Sequence, residues 1–63
     1  MRSKNILLVN EWNRRYENPI LYGDIYGMRI GYDAEQDYGL DIEYQLYMFF
    51  KLMEKEYHIS LGI

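Results

Sequence analysis

The sequence predicts one small domain of the α+β class, with an N-terminal helix, a β-hairpin and a long second helix. A short C-terminal strand is an open alternative. Two helical repeat patterns, separated by a glycine-punctuated stretch of alternating apolar residues, predict these elements. The length of 63 residues limits the chain to one core, since so short a chain buries only about 60% of its unfolded surface.

The first helix is predicted to run from Ser3, a suitable N-cap, to about Glu17. Its apolar face repeats at spacings of three to four residues and comprises Leu8, Val9, Trp12 and Tyr16. Pro19 is expected to end this helix, because proline pushes the preceding residue out of the helical region. A strand over 5–9 is the competing interpretation, since residues 6–9 are continuously apolar.

Residues 20–32 predict a β-hairpin with Gly23-Asp24 as its two-residue turn. In the second strand the even-numbered positions form one apolar face: Tyr26, Met28, Ile30 and Tyr32. The opposite face carries Gly27 and Gly31, which indicates a bulge or the close approach of another group. Residues 33–39 are polar and are expected to form a loop.

The second helix is predicted from Ile42 to about Tyr57, with Asp41 as its N-cap. Its expected core face is Ile42, Leu46, Phe49, Met53 and Tyr57, with Phe50 beside it. Residues 40–46 also alternate between apolar and polar types, so a strand there followed by a shorter helix is the alternative. Residues 57–63 alternate in the same way, which permits the short C-terminal strand.

Acidic residues are concentrated in the second half of the chain. The net charge is −3, but residues 30–50 contain no basic residue and five carboxylates: Asp33, Glu35, Asp37, Asp41 and Glu43. Binding to a nucleic-acid backbone needs clustered lysine and arginine, so this segment argues against nucleic acid as a partner.

Catalytic and metal-binding patterns are poorly represented. The chain has no cysteine, which excludes a disulfide framework and a thiolate zinc site. Asp33, Glu35 and Asp37 have the spacing of a calcium loop, but Tyr38 replaces its glycine and Tyr44 its closing glutamate. The sequence therefore predicts no cofactor, no metal and no enzymatic activity. Without a long apolar stretch or a targeting signal, it also predicts a cytoplasmic protein that does not enter a membrane.

Tyrosine is the most unusual component of the composition. The chain has eight tyrosines, and a small core cannot accommodate eight large rings whose hydroxyl groups each need a partner. We expect Tyr57 and at least one of Tyr26 and Tyr32 in the core. The tyrosines expected to be at least partly exposed are Tyr22, Tyr38, Tyr44 and Tyr47. Exposed tyrosines are typical of protein-binding surfaces.

A short, acidic, cysteine-free chain rich in tyrosine, asparagine and isoleucine resembles, in style, small phage and mobile-element proteins that bind and disable a host protein. The resemblance implies a non-enzymatic inhibitor that occludes a functional surface of its host partner. A basic surface, including one that binds nucleic acid, suits an acidic face that mimics phosphates. The expected partner-binding residues are Tyr22, Asp33, Glu35, Asp37, Tyr38, Asp41, Glu43, Tyr44 and Tyr47.

Two other functions remain open from the sequence. One is a nucleic-acid-binding accessory protein that uses stacked tyrosines together with Arg14, Arg15 and Arg29. The other is a structural homodimer formed through the helix predicted over 42–57, because domains of this size often need oligomerisation for stability.

Overall fold

The computed structural model describes residues 1–62 and contains three helices: α1 (Arg2–Tyr16), α2 (Pro19–Tyr22) and α3 (Leu40–Tyr57). No β-strand forms within these residues, so the predicted α+β class and its hairpin over 20–32 are wrong. Helices α1 and α3 pack against each other. The irregular segments 23–39 and 58–62 cover the sides of this helix pair.

The core lies between α1 and α3. Leu8 and Phe50 are fully buried, one from each helix. The Trp12 ring lies 5.9 Å from the Phe50 ring and 4.9 Å, edge-on, from the Tyr26 ring.

The observed limits of α1 are close to the predicted ones. The helix begins before Ser3, however, with Met1 as its N-cap and without a side-chain cap hydrogen bond.

The segment predicted as a hairpin starts with a single helical turn, α2. Pro19 occupies its first position, where the fixed φ of proline suits a helix and no backbone N–H is needed. The second predicted strand lies against α1 instead of against another strand. Asn13 takes the place of a strand partner, because its Oδ1 accepts from the Ile30 N–H at 2.8 Å and its Nδ2 donates to the Ile30 carbonyl at 3.0 Å.

The alternation in this segment has a structural basis even without a sheet. Tyr26 is buried, and Ile30 and Tyr32 pack against the core. Met28 is the exception in the predicted apolar face, since its side chain is 70% exposed. Its carbonyl instead accepts a hydrogen bond from Trp12 Nε1 at 2.9 Å. The period of two therefore identified three of the four predicted inward-facing residues, but not Met28, and it missed Ile25, which packs against the core from the other predicted face.

Helix α3 begins at Leu40, directly after Gly39, and so excludes the alternative strand over 40–46. Gly39 has φ 83° and ψ 161°, a conformation that only glycine adopts readily. The predicted core face of this helix was partly wrong. Leu46 and Met53 pack against the core as expected, whereas three other members are exposed: Ile42, Phe49 and Tyr57. Their places are taken by Phe50 and by Glu43, a charged residue that a hydrophobic pattern does not assign to a core.

The C-terminal residues cover one edge of the core. His58 ends α3 in the left-handed conformation. Leu61 is buried, its N–H donates to Glu54 Oε2 at 2.7 Å, and Arg15 donates to the Ser60 carbonyl at 2.8 Å. The predicted terminal strand is absent from residues 58–62, which form no sheet. Its last residue, Ile63, lies outside the described residues.

Candidate interaction surface

Beneath the acidic segment lies a buried polar cluster formed by Arg2, Asn5, Tyr32 and Glu43. Asn5 Nδ2 donates to Glu43 Oε1 at 2.8 Å and to the Glu43 carbonyl at 2.7 Å. Tyr32 donates its hydroxyl to the same carboxylate at 2.8 and 2.9 Å. Arg2 Nη1 lies 3.6 Å from Glu43 Oε2. Glu43 thus joins α1, α3 and the irregular segment at one point.

The cluster shifts the pKa values of two of its members. Burial raises the pKa of Glu43, but hydrogen bonds from Asn5 and Tyr32 and the charge of Arg2 lower it by more, so the pKa lies below its ordinary value. Burial, followed by the hydrogen bond to Glu43, raises the pKa of Tyr32 to about 12. The carboxylate is therefore ionised and the phenol neutral at physiological pH, which preserves the hydrogen bond between them.

The same cluster holds the acidic segment in place. Arg2 donates to the backbone carbonyls of Ala34 and Gln36, the latter at 2.7 Å. The Tyr38 ring stacks on the Tyr32 ring at 5.2 Å, and the Tyr38 hydroxyl accepts from the Asp33 N–H at 2.9 Å. Residues 33–38 are therefore fixed to α1 and to the core even though most of their side chains are exposed.

Four exposed carboxylates form what we call the acidic surface: Asp33, Glu35, Asp37 and Asp41. Two of them stabilise local turns, since Asp33 Oδ1 accepts from the Glu35 N–H at 2.9 Å and Asp37 Oδ1 from the Gly39 N–H at 3.0 Å. None forms an ion pair with another described residue. Four carboxylates elsewhere do form ion pairs: Glu11, Glu17, Glu43 and Glu54. The negative charge of segment 33–41 is therefore directed to solvent.

The nine residues expected to bind a partner are only partly brought together. Segment 33–41 and the exposed Tyr44 lie at the N-terminal end of α3, but Glu43 is 6% exposed and belongs to the buried polar cluster. Tyr38 and Tyr47 are half-buried. Tyr22 is also half-buried, and its hydroxyl accepts from Arg14 at 3.0 Å. It therefore lies near the end of α1 opposite to Arg2, away from the acidic surface.

The three arginines of the nucleic-acid hypothesis do not converge into an unpaired basic patch. Arg14 and Arg15 both bind Glu11 at 2.6 Å, and Arg29 binds Glu17 at 2.6 Å. The hydrogen bond from Arg14 is the largest effect on Glu11, and together with Arg15 it lowers the pKa of that carboxyl to about 2. Arg14 and Arg15 thus share one carboxylate and Arg29 has another, so two carboxylates lie beside the three arginines.

Sequence reasoning missed an apolar surface on the side of α3 that faces away from α1. We call this surface the outer face; its apolar side chains are exposed by 45–54% and are Tyr44, Met48 and Leu52. Phe49 lies at the edge of this face, since its ring is 39% exposed but lies 5.4 Å from the Trp12 ring of α1. The signal was present in the sequence, since apolar residues of this helix extend beyond a single stripe. Met48 and Leu52 follow Tyr44 at four-residue spacing and lie outside the predicted core face, but the prediction gives neither of them a role.

Other features of the described residues do not form a developed site. A shallow cleft of about 320 Å³ is lined by Tyr16, Pro19, Gly23, Asp24, Tyr26 and Gly27. Among residues 1–62, no group of three or more histidine, aspartate or glutamate side chains is arranged to hold a metal ion. No helix in this part of the chain has the length and apolar character needed to cross a membrane.

Comparison with known proteins supports a family assignment. Neither the curated proteins nor the solved structures include a significant match. The model of a family described as "Family of unknown function (DUF6146)" matches residues 1–62, nearly the whole chain. The protein therefore belongs to the DUF6146 family of unknown function.

Proposed function

We propose that this protein is a non-enzymatic protein-binding module that covers a basic surface of a host protein with its acidic surface, in the manner of a small inhibitor. One observation carries the proposal. The four carboxylates of the acidic surface have no ion-pair partner among residues 1–62, whereas four of the six carboxylates elsewhere are paired. Charges that the fold leaves unneutralised are available to a partner of opposite charge.

The fixed backbone beneath these carboxylates supports the proposal. Arg2 holds the carbonyls of Ala34 and Gln36, and the stacked Tyr32 and Tyr38 rings pin the start of the segment. A preorganised segment loses little conformational entropy on binding, so more of its contact energy appears as affinity. The carboxylates therefore present a defined spatial pattern instead of a mobile acidic tail.

Apolar contact area is available beside the charges. Leu40 is 75% exposed and Tyr44 is 52% exposed, and both lie in the first two turns of α3 next to Asp41. Interfaces commonly combine aromatic or aliphatic anchors with a charged rim. We assign the anchor role to Tyr44 and Leu40, and the steering and orienting role to the carboxylates.

Charge reversal tests the proposal. The tagged protein is used to capture partners from the native host, alongside an E35K/D37K variant, and captured proteins are identified by mass spectrometry. We expect a partner with a basic surface that the variant loses, and whose retention weakens as salt rises, because exposed charge pairs are screened. Glu35 and Asp37 are exposed, so the variant should remain folded, which circular dichroism verifies.

A matched control separates this surface from overall charge. The D24K/E56K variant changes the net charge by the same amount at exposed residues outside the acidic surface that also form no ion pair among the described residues. It should retain the partner. If both variants lose the partner equally, or neither does, the acidic surface is not the contact surface. Retention of single-stranded nucleic acid by the wild-type protein instead of a protein would support the nucleic-acid function and contradict the proposal.

A further inference from the structure

The middle of the outer face of α3 exposes apolar side chains that the rest of the fold does not cover. Tyr44, Met48 and Leu52 are 52%, 45% and 54% exposed. They are spaced by four residues, so they lie on adjoining turns of one helix side, with the exposed Gln45 beside them. Clusters of this kind on a small protein mark a contact surface.

Opposite charges stand at the two ends of this patch. Asp41 precedes Met48 by seven residues and Lys55 follows it by seven, which places both on the same helix side as Met48, about 10 Å away in either direction. Both are exposed. Neither forms an ion pair with any residue in the described part of the chain. The patch thus has Asp41 at its N-terminal end and Lys55 at its C-terminal end, where the exposed Glu56 lies to one side of Lys55.

We propose that α3 pairs with α3 of a second copy of this chain in an antiparallel homodimer centred on Met48. A two-fold axis through Met48 brings Asp41 of each copy opposite Lys55 of the other, because the two residues are equidistant from the centre. It also brings Leu52 opposite the exposed Tyr44 of the other copy. The surface is therefore complementary to itself in both charge and apolar character, as a two-fold interface requires.

A parallel arrangement lacks this complementarity. It would place Asp41 beside Asp41 and Lys55 beside Lys55, and like charges at such separations are destabilising. The antiparallel dimer covers Asp41 and Tyr44, which the proposed function also assigns to the host contact, and leaves Asp33, Glu35 and Asp37 outside the helix–helix contact, because they precede α3. The inference thus goes beyond the proposed function: the dimer retains residues 33–37 for a host partner, and host binding competes with dimerisation for Asp41 and Tyr44.

Engineered cysteines test the orientation directly, because the chain contains no cysteine of its own. Aspartate 41 and lysine 55 are replaced in separate variants, D41C and K55C, which are mixed and oxidised. We expect a disulfide between the two variants that forms faster than in a mixture of K4C and K55C, where Lys4 is an exposed residue of α1. Rapid self-linkage of D41C alone would show a parallel dimer and overturn the proposal.

Charge exchange gives a second, independent readout by sedimentation at several protein concentrations. Each of D41K and K55D should weaken dimerisation about tenfold, since two attractive contacts become repulsive in the symmetric dimer. The double variant D41K/K55D should restore it. A K4D control should leave it unchanged. A wild-type protein that sediments as a monomer at micromolar concentration, or a double variant that is not rescued, would contradict the proposal.

The two proposals fail in distinguishable ways. If the protein is a monomer but still loses its host partner on E35K/D37K substitution, the homodimer is wrong and the proposed function stands. If a charge-dependent antiparallel dimer forms but no partner is captured, the homodimer is correct and the proposed function is wrong. Circular dichroism of every variant checks that α3 remains helical.

Discussion

Replacement of Glu43 by alanine should be among the most destabilising single changes in this protein. The carboxylate accepts hydrogen bonds from Asn5 at 2.8 Å and from Tyr32 at 2.8 Å. A buried hydrogen bond to a charged group contributes about 1.5–3 kcal/mol, and the two bonds share one carboxylate, so we expect a loss of about 3–4 kcal/mol. Asn5 Oδ1 has no hydrogen-bond partner among the described residues. After the change, the Glu43 carbonyl would be the one remaining hydrogen-bond partner of the buried Asn5 side chain among those residues.

This loss is large relative to the stability of so small a domain. At about 0.05–0.15 kcal/mol per residue, a chain of this size unfolds with a free energy of roughly 3–9 kcal/mol. Urea unfolding followed by the fluorescence of Trp12, the single tryptophan, measures the change. Glu43→Gln should cost less than Glu43→Ala, since the amide retains an acceptor oxygen, and Glu35→Ala should cost almost nothing. A Glu43→Ala protein within about 0.5 kcal/mol of wild type would refute the structural role of the cluster.

Three further predictions follow from the core, a helix end and an ion pair. Phe50→Ala should lower the free energy of unfolding by about 3–5 kcal/mol, because it opens a cavity at a fully buried position; a urea midpoint near that of wild type would be inconsistent with this core. His58→Gly should raise the free energy of unfolding by roughly 0.5 kcal/mol, because His58 has φ 53° and glycine adopts that conformation without strain. A drop in melting temperature would argue against strain at His58. Glu11 has a folded pKa of about 2 against an ordinary 4.5, so its contribution is complete above pH 4.5 and disappears as the pH falls through 2. Because Arg14 is half exposed, that contribution is about 1 kcal/mol; a Glu11→Gln protein should lose less stability over this pH range, and equal losses would contradict the ion pair.

Helices α1 and α3 were predictable because their determinants are local, whereas the single turn α2 was predicted as a strand. The apolar residues of α1 recur at helical spacing, and the observed limits Arg2–Tyr16 differ little from the predicted Ser3 to Glu17. The limits of α3 were similarly close. Its buried side was not, because Glu43 occupies a core position only through Asn5 and Tyr32, which lie far from it in sequence. A hydrophobic pattern contains no information about such pairing.

The hairpin was a wrong prediction with a specific physical cause. Alternation in residues 25–32 correctly marks inward-facing side chains such as Tyr26 and Ile30, and such alternation normally implies a neighbouring strand. Here the backbone of Ile30 bonds to the side chain of Asn13. A side-chain amide from a helix that replaces a strand partner leaves no periodic signal in the sequence.

The candidate surface was partly predictable for the same reasons. Asp33, Glu35 and Asp37 occupy alternate positions of one polar segment. Their exposure could therefore be predicted from the composition of that segment. The anchoring of the segment by Arg2 did not, because it depends on contacts across more than thirty positions. The outer face of α3 was overlooked because Met48 and Leu52 lie outside the predicted core face and were given no role.

Hydrogen exchange of the protein with and without its captured partner tests the central claim most directly. Within the segment 33–39 the amides of Ala34, Asp37 and Tyr38 have no hydrogen-bond acceptor among the described residues, whereas those of the other four residues do. These three amides should therefore exchange quickly in the free protein and report contact clearly. The account predicts protection of residues 33–44 in the complex and no change in residues 23–29. Protection confined to 23–29 or to α1, with unchanged exchange over 33–44, would contradict it.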